Sequence, residues 1–383
     1  MKISVAVRTK FHAFQIAEQL HQNGHLYQLY TSYYGSFLGK SNCTGFHIPP
    51  NQVNENYLTA FFYYVLRQES LKVNEWFGNK VADQIGEEDL IAAWSLIAKP
   101  IFEKANYLGI KKVLVHPSAH VLTHKAILEE GYDRLGINKT KLLHSFSATR
   151  IDFALTEYDL ADRIQVPSQF VADTFIAQGY SPKNLIQAPL GVDMQIFQRP
   201  MDTPYPENFT LIYVGSISVR KGVLPLLAAL QALNLPHVKL LLVGQIDEEI
   251  KDKLVIYQKY YEYLGVIPQK DLKNYLLQSS VFIINSLEDG FAQVVPQAMA
   301  CGLPVICTNH VGAADCVIDG QNGFIVPVNN TEKLKEKIVF FYENREQITV
   351  MGQAALQSVK EQFSWREFGD KIIQFYQEML AMK

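Results

Sequence analysis

Apolar and polar positions alternate over residues 2–7 (KISVAV), which predicts a buried first strand. Phe11, Phe14, Ala17 and Leu20 then recur at helical spacing, and Asn23-Gly24 ends that helix. Val113-Leu114-Val115 and Ile164-Gln165-Val166 are short apolar runs that predict further strands. The first is followed by His-Pro-Ser, the second by Pro-Ser and a helical stretch from Phe170. Strand and helix therefore alternate, the pattern of a parallel sheet with helices on both faces.

A proline-rich break over residues 189–209 (PLGVDMQIFQRPMDTPYPENF) reads as a linker. A second α/β pattern follows it, with strands predicted at Leu211–Val214, Leu240–Val243, Val281–Ile284 and Val305–Ile306 and a helix at Gly222–Leu233. Residues 365–382 read as one amphipathic helix. The expected organisation is two Rossmann-like α/β domains, residues 1–190 and 191–364, around a cleft at the carboxyl ends of two sheets. One large sheet with an inserted domain fits the chain length less well.

Composition narrows the function classes. The chain has 383 residues, 48% apolar and 19% charged, enough apolar content for two cores. A net charge of −3 gives no reason to expect a nucleic-acid partner. The first apolar run is too short and too alternating for a signal peptide, and no run of 18 apolar residues occurs, so a cytoplasmic location is expected. Cys43, Cys301, Cys307 and Cys316 lack C-x-x-C spacing, so reduced thiols are expected and a zinc site is not. The sequons at Asn42, Asn138, Asn208 and Asn329 carry no weight without a secretory signal.

The candidate chemistry lies in three segments. No G-x-G-x-x-G follows the first strand, which removes the main support for a dinucleotide dehydrogenase. Gly35–Ser41 looks like a Walker A loop but is one residue short and follows no convincing strand. By contrast, Val214-Gly-Ser-Ile-Ser-Val-Arg220-Lys221-Gly222 puts two adjacent cations at a strand–loop–helix junction, where they suit a diphosphate. The stretch from Ser286 to Val326 runs from the acidic pair Glu288-Asp289 through Gly290, Phe291 and Ala292 into a small-residue helical segment, and Gly302-Leu-Pro breaks it before a strand. The backbone N–H groups of Gly290, Phe291 and Ala292 near that helix start suit phosphate or sugar oxygens. In the first half, His116-Pro-Ser-Ala-His120 follows a predicted strand, and Lys10 and His12 follow the first one.

The Ser286–Val326 segment resembles the donor-nucleotide segment of retaining glycosyltransferases of the GT-B fold, in particular family 4. Arg220-Lys221-Gly222, Ser118-x-His120 with Leu128-Glu-Glu130, Glu157–Ser168 and Pro189–Asp193 are also similar to stretches of that family, so the likeness covers nearly all of residues 110–365 and is weakest over 30–110. The resemblance implies a metal-independent, cofactor-free transfer of a sugar from a UDP- or GDP-type nucleotide sugar to a hydroxyl of a sugar or lipid-linked acceptor, in surface polysaccharide or glycolipid synthesis. It implies donor contacts from Arg220, Lys221, Glu288, Asp289, Gly290, Phe291, Ala292 and Gln297, and a histidine at the reacting sugar, His120 first and His116 second. It also implies that the closing helix, 365–383, packs back on the first domain.

Two departures stand out. The family's usual pair of glutamates falls here on Asp289 and Gln297, and Ser216 replaces the arginine that often follows the first glycine. A nucleotide-sugar epimerase or a non-catalytic binding protein of the same fold therefore stays open, and more weakly a nicotinamide enzyme. Residues 57–77, rich in aromatics with Arg67 and Lys72 nearby, suit a peripheral contact with the inner face of a membrane.

Overall fold

The computed structural model describes the chain except residues 10–11, 35, 38–39, 42–45, 65–70, 201–202 and 382–383. Lys10, Phe11, Cys43 and Arg67, and much of the aromatic stretch after residue 61, lie outside what is described. Two parallel sheets carry the fold. The first contains β1 (Ile3–Ala6), β2 (Leu26–Thr31), β5 (Val53–Glu55), β6 (Leu90–Trp94), β7 (Lys111–Val115), β8 (Arg163–Val166) and β9 (Leu185–Gln187), in the order β5-β2-β1-β6-β7-β8-β9. Between β2 and β5, β3 (Ser36–Phe37) pairs antiparallel with β4 (Lys40–Ser41), in the segment that mimics a Walker A loop. The second sheet contains β10 (Thr210–Val214), β11 (Lys239–Val243), β12 (Tyr261–Gly265), β13 (Val281–Ile284), β14 (Val305–Thr308) and β15 (Gly323–Val326), ordered β12-β11-β10-β13-β14-β15.

In both sheets the strand order reverses at the first strand, so each has a switch point, between β1 and β6 and between β10 and β13. The mostly apolar strands β1, β6, β13 and β14 are buried along their whole length, as strands covered on both faces must be. The sequence pattern placed seven strands within two residues of their ends. In the two sheets it missed β2, β5, β6, β9, β12 and β15, which are either short apolar runs or mixed segments such as Val-Asn-Glu without a regular period.

The two halves are joined twice. Residues 188–209 cross from the first sheet to the second. After the helix Arg345–Gln362 the chain crosses back, and Val192 N–H donates to the Phe363 carbonyl at 2.8 Å. The last helix, Trp365–Ala381, packs on Ala13–Gln22 of the first half, with Gly369 against Gln19. Tyr376, fully buried on it, donates to Gln165 Oε1 of β8 at 2.6 Å.

At the first switch point the backbone is strained. Leu96, just past β6, has φ of 68°, unusual for a residue with a branched side chain. Glu157 holds it there: its carboxyl accepts the N–H groups of Leu96 at 2.7 Å, Ala98 at 2.6 Å and Lys99 at 3.3 Å. Burial pushes the Glu157 carboxyl up to about 8 against the pull of those three N–H groups. Between the ordinary carboxylate value of 4.5 and about 8 the folded protein keeps a proton that the unfolded chain has lost, so this group's stability is lost as pH rises through that window. Unfolding free energies from urea titrations between pH 5 and 8 should therefore fall with pH more steeply than in Glu157→Gln, by up to about 1.4 kcal/mol per pH unit; parallel curves would refute the assignment.

Candidate active site

The carboxyl ends of the two sheets face each other across a cavity of about 650 Å³. Its first wall comes from the ends of β6 and β7 (Trp94, His116, Pro117) and from the helices Val121–Leu135, Thr140–Ser145 and Ala148–Leu160. Its second wall comes from the loops after β10 and β11: Ser216, Ser218, Arg220, Asp247 and Glu249. Open α/β sheets hold ligands at this edge.

Arg220 and Lys221 sit where the sequence predicts, on the turn between β10 and the helix Val223–Leu233. Gly222 caps that helix with φ of 63°, and a Cβ there would stand 1.8 Å from the Asn285 carbonyl oxygen, so only glycine lets the turn lie on the loop after β13. This close approach pairs each cation with a carboxylate. Arg220 Nη1 lies 3.3 Å from Glu288 Oε2, and Lys221 pairs with Asp289. Burial pulls the Arg220 guanidinium down, but Glu288 and Asp289 more than offset it, so its value rises. Burial draws Lys221 below the ordinary lysine value. Burial would raise Asp289, yet Lys221 and Arg220 carry it below the ordinary carboxylate value, which keeps the pair ionic.

Glu288, fully buried, reaches across the cleft: Oε1 accepts the Ala119 N–H at 3.1 Å, and Oε2 lies 3.1 Å from His124 Nε2. Other bonds join the same edges. Ser168 Oγ donates to the Gly290 carbonyl at 2.8 Å, Tyr132 donates to Glu249 Oε1 at 2.7 Å, and Gln169 N–H donates to Asp315 Oδ2 at 2.8 Å. Burial, and then Glu249, raises the carboxyl of Asp247 on the second wall.

Three expectations change. The N–H groups of Phe291 and Ala292 point at Asp289 Oδ1, at 3.3 and 2.9 Å, so the protein's own carboxylate takes the place expected for a ligand oxygen. His120 does not line the cavity. It caps the helix Val121–Leu135, its Nδ1 accepting the Leu122 N–H at 3.3 Å, and its ring packs on Tyr158, Phe175 and Tyr180; burial lowers it to about 4. Gln297 is buried in the helix Val294–Ala300 and is not among the cavity residues. His116 does line the cavity, 3.4 Å from the Tyr158 hydroxyl, and burial lowers it to about 3. His12 packs against Trp94 with the rings tilted and 4.7 Å apart, outside the cavity lining.

The sequence reading also missed His124, Tyr132, Lys141, Arg150, Asp247 and Glu249. A signal existed for the first two: Val121, His124, Leu128 and Tyr132 follow helical spacing, and all four line the cavity. Lys141 and Arg150 come from two further helices, and no local pattern joins them to the site. The described residues hold no cluster of His, Cys, Asp and Glu suited to a metal ion. Cys301, Cys307 and Cys316 are free and buried.

Comparison with known proteins fits this architecture. Residues 195–358 match the family model "Glycosyl transferases group 1". An uncharacterised glycosyltransferase of Methanocaldococcus jannaschii is 31% identical over 173 residues, 45% of this chain and 48% of that protein. The capsular polysaccharide biosynthesis glycosyltransferase CapM of Staphylococcus aureus is 27% identical over 183 residues, 45% of this chain and 47% of its own. The matched stretch thus spans about half the length of these relatives. Among solved structures, sucrose-phosphate synthase of Thermosynechococcus elongatus superposes with a TM-score of 0.76 at 19% identity over 100% of both chains. HepE of Anabaena, solved with UDP and glucose, gives 0.71 at 18% identity over 99% of this chain and 100% of that one. The chain therefore has the GT-B fold, and residues 195–358 of its second half are similar to the glycosyl transferases group 1 family.

Proposed function

We propose that the protein is a glycosyltransferase that moves a sugar from a nucleotide-diphosphate sugar to an acceptor hydroxyl, with retention at the anomeric carbon and without a metal. The observation that carries this reading is the charged turn Arg220-Lys221 at the second sheet's switch point, from which Arg220 lines a cavity shared by both sheets. The donor diphosphate would compete with Glu288 and Asp289 for the two cations, which would then stabilise the charge that develops on the leaving group. His116 and His124, both lowered by burial, offer neutral imidazoles beside the transferred sugar. The UDP complexes of HepE favour a uridine donor over a guanosine one. The names of CapM and of the O-antigen chain mannosyltransferase B of Escherichia coli favour surface-polysaccharide synthesis.

The acceptor is a sugar or a lipid-linked sugar, and no helix among the described residues is long and apolar enough to cross a membrane. Peripheral contact through residues 57–77 at the inner face of the membrane fits Tyr57, Leu58 and Phe61, which are 46%, 63% and 43% exposed on one short helix. A second reading, a binding protein without turnover, is favoured by Gln297 in place of a carboxylate. UDP-sugar binding without hydrolysis or transfer would establish it.

Arg220→Gln should weaken UDP-glucose binding roughly 10- to 100-fold by calorimetry, the span of a charge-assisted hydrogen bond. Its unliganded thermal midpoint should fall as well, because the buried Glu288 loses its guanidinium partner, so affinities are compared well below that midpoint. Unchanged affinity would sink the donor-site reading. Gly290→Ala tests closure, since its Cβ would fall 1.7 Å from the Pro117 carbonyl oxygen. It should open the cleft, with a larger radius of gyration in solution scattering and roughly 100-fold slower transfer. Wild-type scattering and rate together would show that the closed contact is dispensable.

A further inference from the structure

Glu288 joins the two halves through its charge. Its carboxylate has three neighbours: Arg220 Nη1 at 3.3 Å from its own half, and the Ala119 N–H and His124 Nε2, each at 3.1 Å, from the other. Of these only Arg220 brings a full positive charge. Burial holds His124 below the ordinary histidine value; Glu288 and Asp289 pull upward against it and Arg220 downward with it. The imidazole is thus neutral at neutral pH. Its Nε2 is buried and has no aligned hydrogen bond, so its approach to Glu288 is a contact that has not become a bond.

A donor diphosphate upsets this balance. Arg220 lines the cavity with its side chain 35% exposed, so it can turn to the ligand, whereas Glu288 is 0% exposed and cannot turn to water. A buried carboxylate left without its cation is strongly disfavoured unless another charge replaces it. Few groups face the pair. Lys221 is engaged with Asp289, and the Ala119 N–H is already used. His116 turns its Nε2 to the Ala119 carbonyl and the Tyr158 hydroxyl. Phe146 packs edge-on against the His124 ring and carries no charge. Lys141 and Asp247 interact with each other further along the cavity. His124 remains. Its side chain is 18% exposed, so a proton from solvent can reach it, and the incoming diphosphate adds negative charge that favours the imidazolium.

We propose that His124 is a positioning residue of the transfer: when the diphosphate takes Arg220, His124 binds a proton and holds Glu288, and with it the Ala119 contact across the cleft. The inference rests on the glycosyltransferase reading and deepens its donor side. His124 makes no bond to the sugar. Its proton comes from solvent and returns there when the nucleotide leaves and Arg220 swings back to Glu288. His116 stays the neutral imidazole of the site. Because the liganded state binds more protons than the free one, donor affinity falls as pH rises from the lowered value of His124 in the free protein to its raised value in the complex.

The test is calorimetry of UDP-glucose binding to the full chain between pH 5 and 8, in buffers of different ionisation heat. The dependence of the apparent enthalpy on that heat counts the protons taken up, and UDP-glucose has no group of its own that titrates in this range. We expect uptake approaching about one proton per donor at its maximum, and an affinity that falls by up to about tenfold per pH unit. Asp247, also raised, can contribute, so the share that disappears in His124→Asn is the one scored. Glu288→Gln should remove the same share, because its amide oxygen keeps the Ala119 N–H and needs no counter-charge. Zero uptake in the wild type overturns the proposal with no variant needed. So does uptake that survives in His124→Asn, which would put the proton on Glu288 or Asp247, or uptake that survives in Glu288→Gln. If UDP-glucose does not bind the wild type, the donor reading falls and this inference with it; binding without His124-dependent uptake overturns this inference alone.

Discussion

The closed arrangement depends on one backbone-to-backbone approach. Gly290 of the second half lies against Pro117 and Ser118 of the first, so close that a Cβ would stand 1.7 Å from the Pro117 carbonyl oxygen. Gly312 lies as tightly against Gly290, with a Cβ position 1.9 Å from its carbonyl oxygen. Three segments thus stack with no side chain between them, and Ser168 fastens the stack by donating to the Gly290 carbonyl. Everything chemical in the cleft follows from that approach. It brings Glu288 within reach of Ala119 and His124, and it fixes the distance between the carboxyl edges of the two sheets.

Much of this was legible in the sequence. Period and composition break together give two α/β halves, because a linker rich in proline cannot continue either sheet. The Arg-Lys-Gly turn and the Glu-Asp-Gly-Phe loop are local patterns, and both fall at the cavity edge or beside it. Pairings across the cleft were not legible. Glu288 meets Ala119 over 169 positions and Tyr132 meets Glu249 over 117, and no window of sequence contains such a pair. His120 misled for a different reason. The tripeptide Ser-x-His marks a helix start as well as an active site, and here the cap and the aromatic cage claim the ring. One turn further on, His124 belongs to the stripe that faces the cavity.

The charges at the second switch point are compensated within the protein. At the second sheet, Arg220 and Lys221 are neutralised by Glu288 and Asp289 within one buried cluster, which avoids leaving a charge desolvated and alone. Under the proposed chemistry this pairing has a use. A diphosphate that must displace two resident carboxylates exchanges one set of charge pairs for another, so the net gain is moderate. The nucleotide product, with the sugar gone, is released as the carboxylates return. Product release often limits turnover in enzymes that close on their substrates, and a site with its own counter-charges works against that limit.

The strain at Leu96 belongs to the same logic. A β-strand that ends in an ordinary turn would carry its next side chain away from the sheet edge. Leu96 instead adopts φ of 68°, and a buried carboxyl on another helix takes up three N–H groups to keep it there. Such a conformation persists only where the surroundings over-determine it, and it costs on the order of 1–3 kcal/mol. A protein selected for stability alone has no reason to hold a leucine in this way at the mouth of a cavity. At a switch point the strain has a geometric result, because it places Leu96 in the lining of the large cavity and of a smaller one of about 140 Å³ beside it. The Glu157–Leu96 clamp therefore shapes the first half's edge, and the Gly290 contact sets the second half against it.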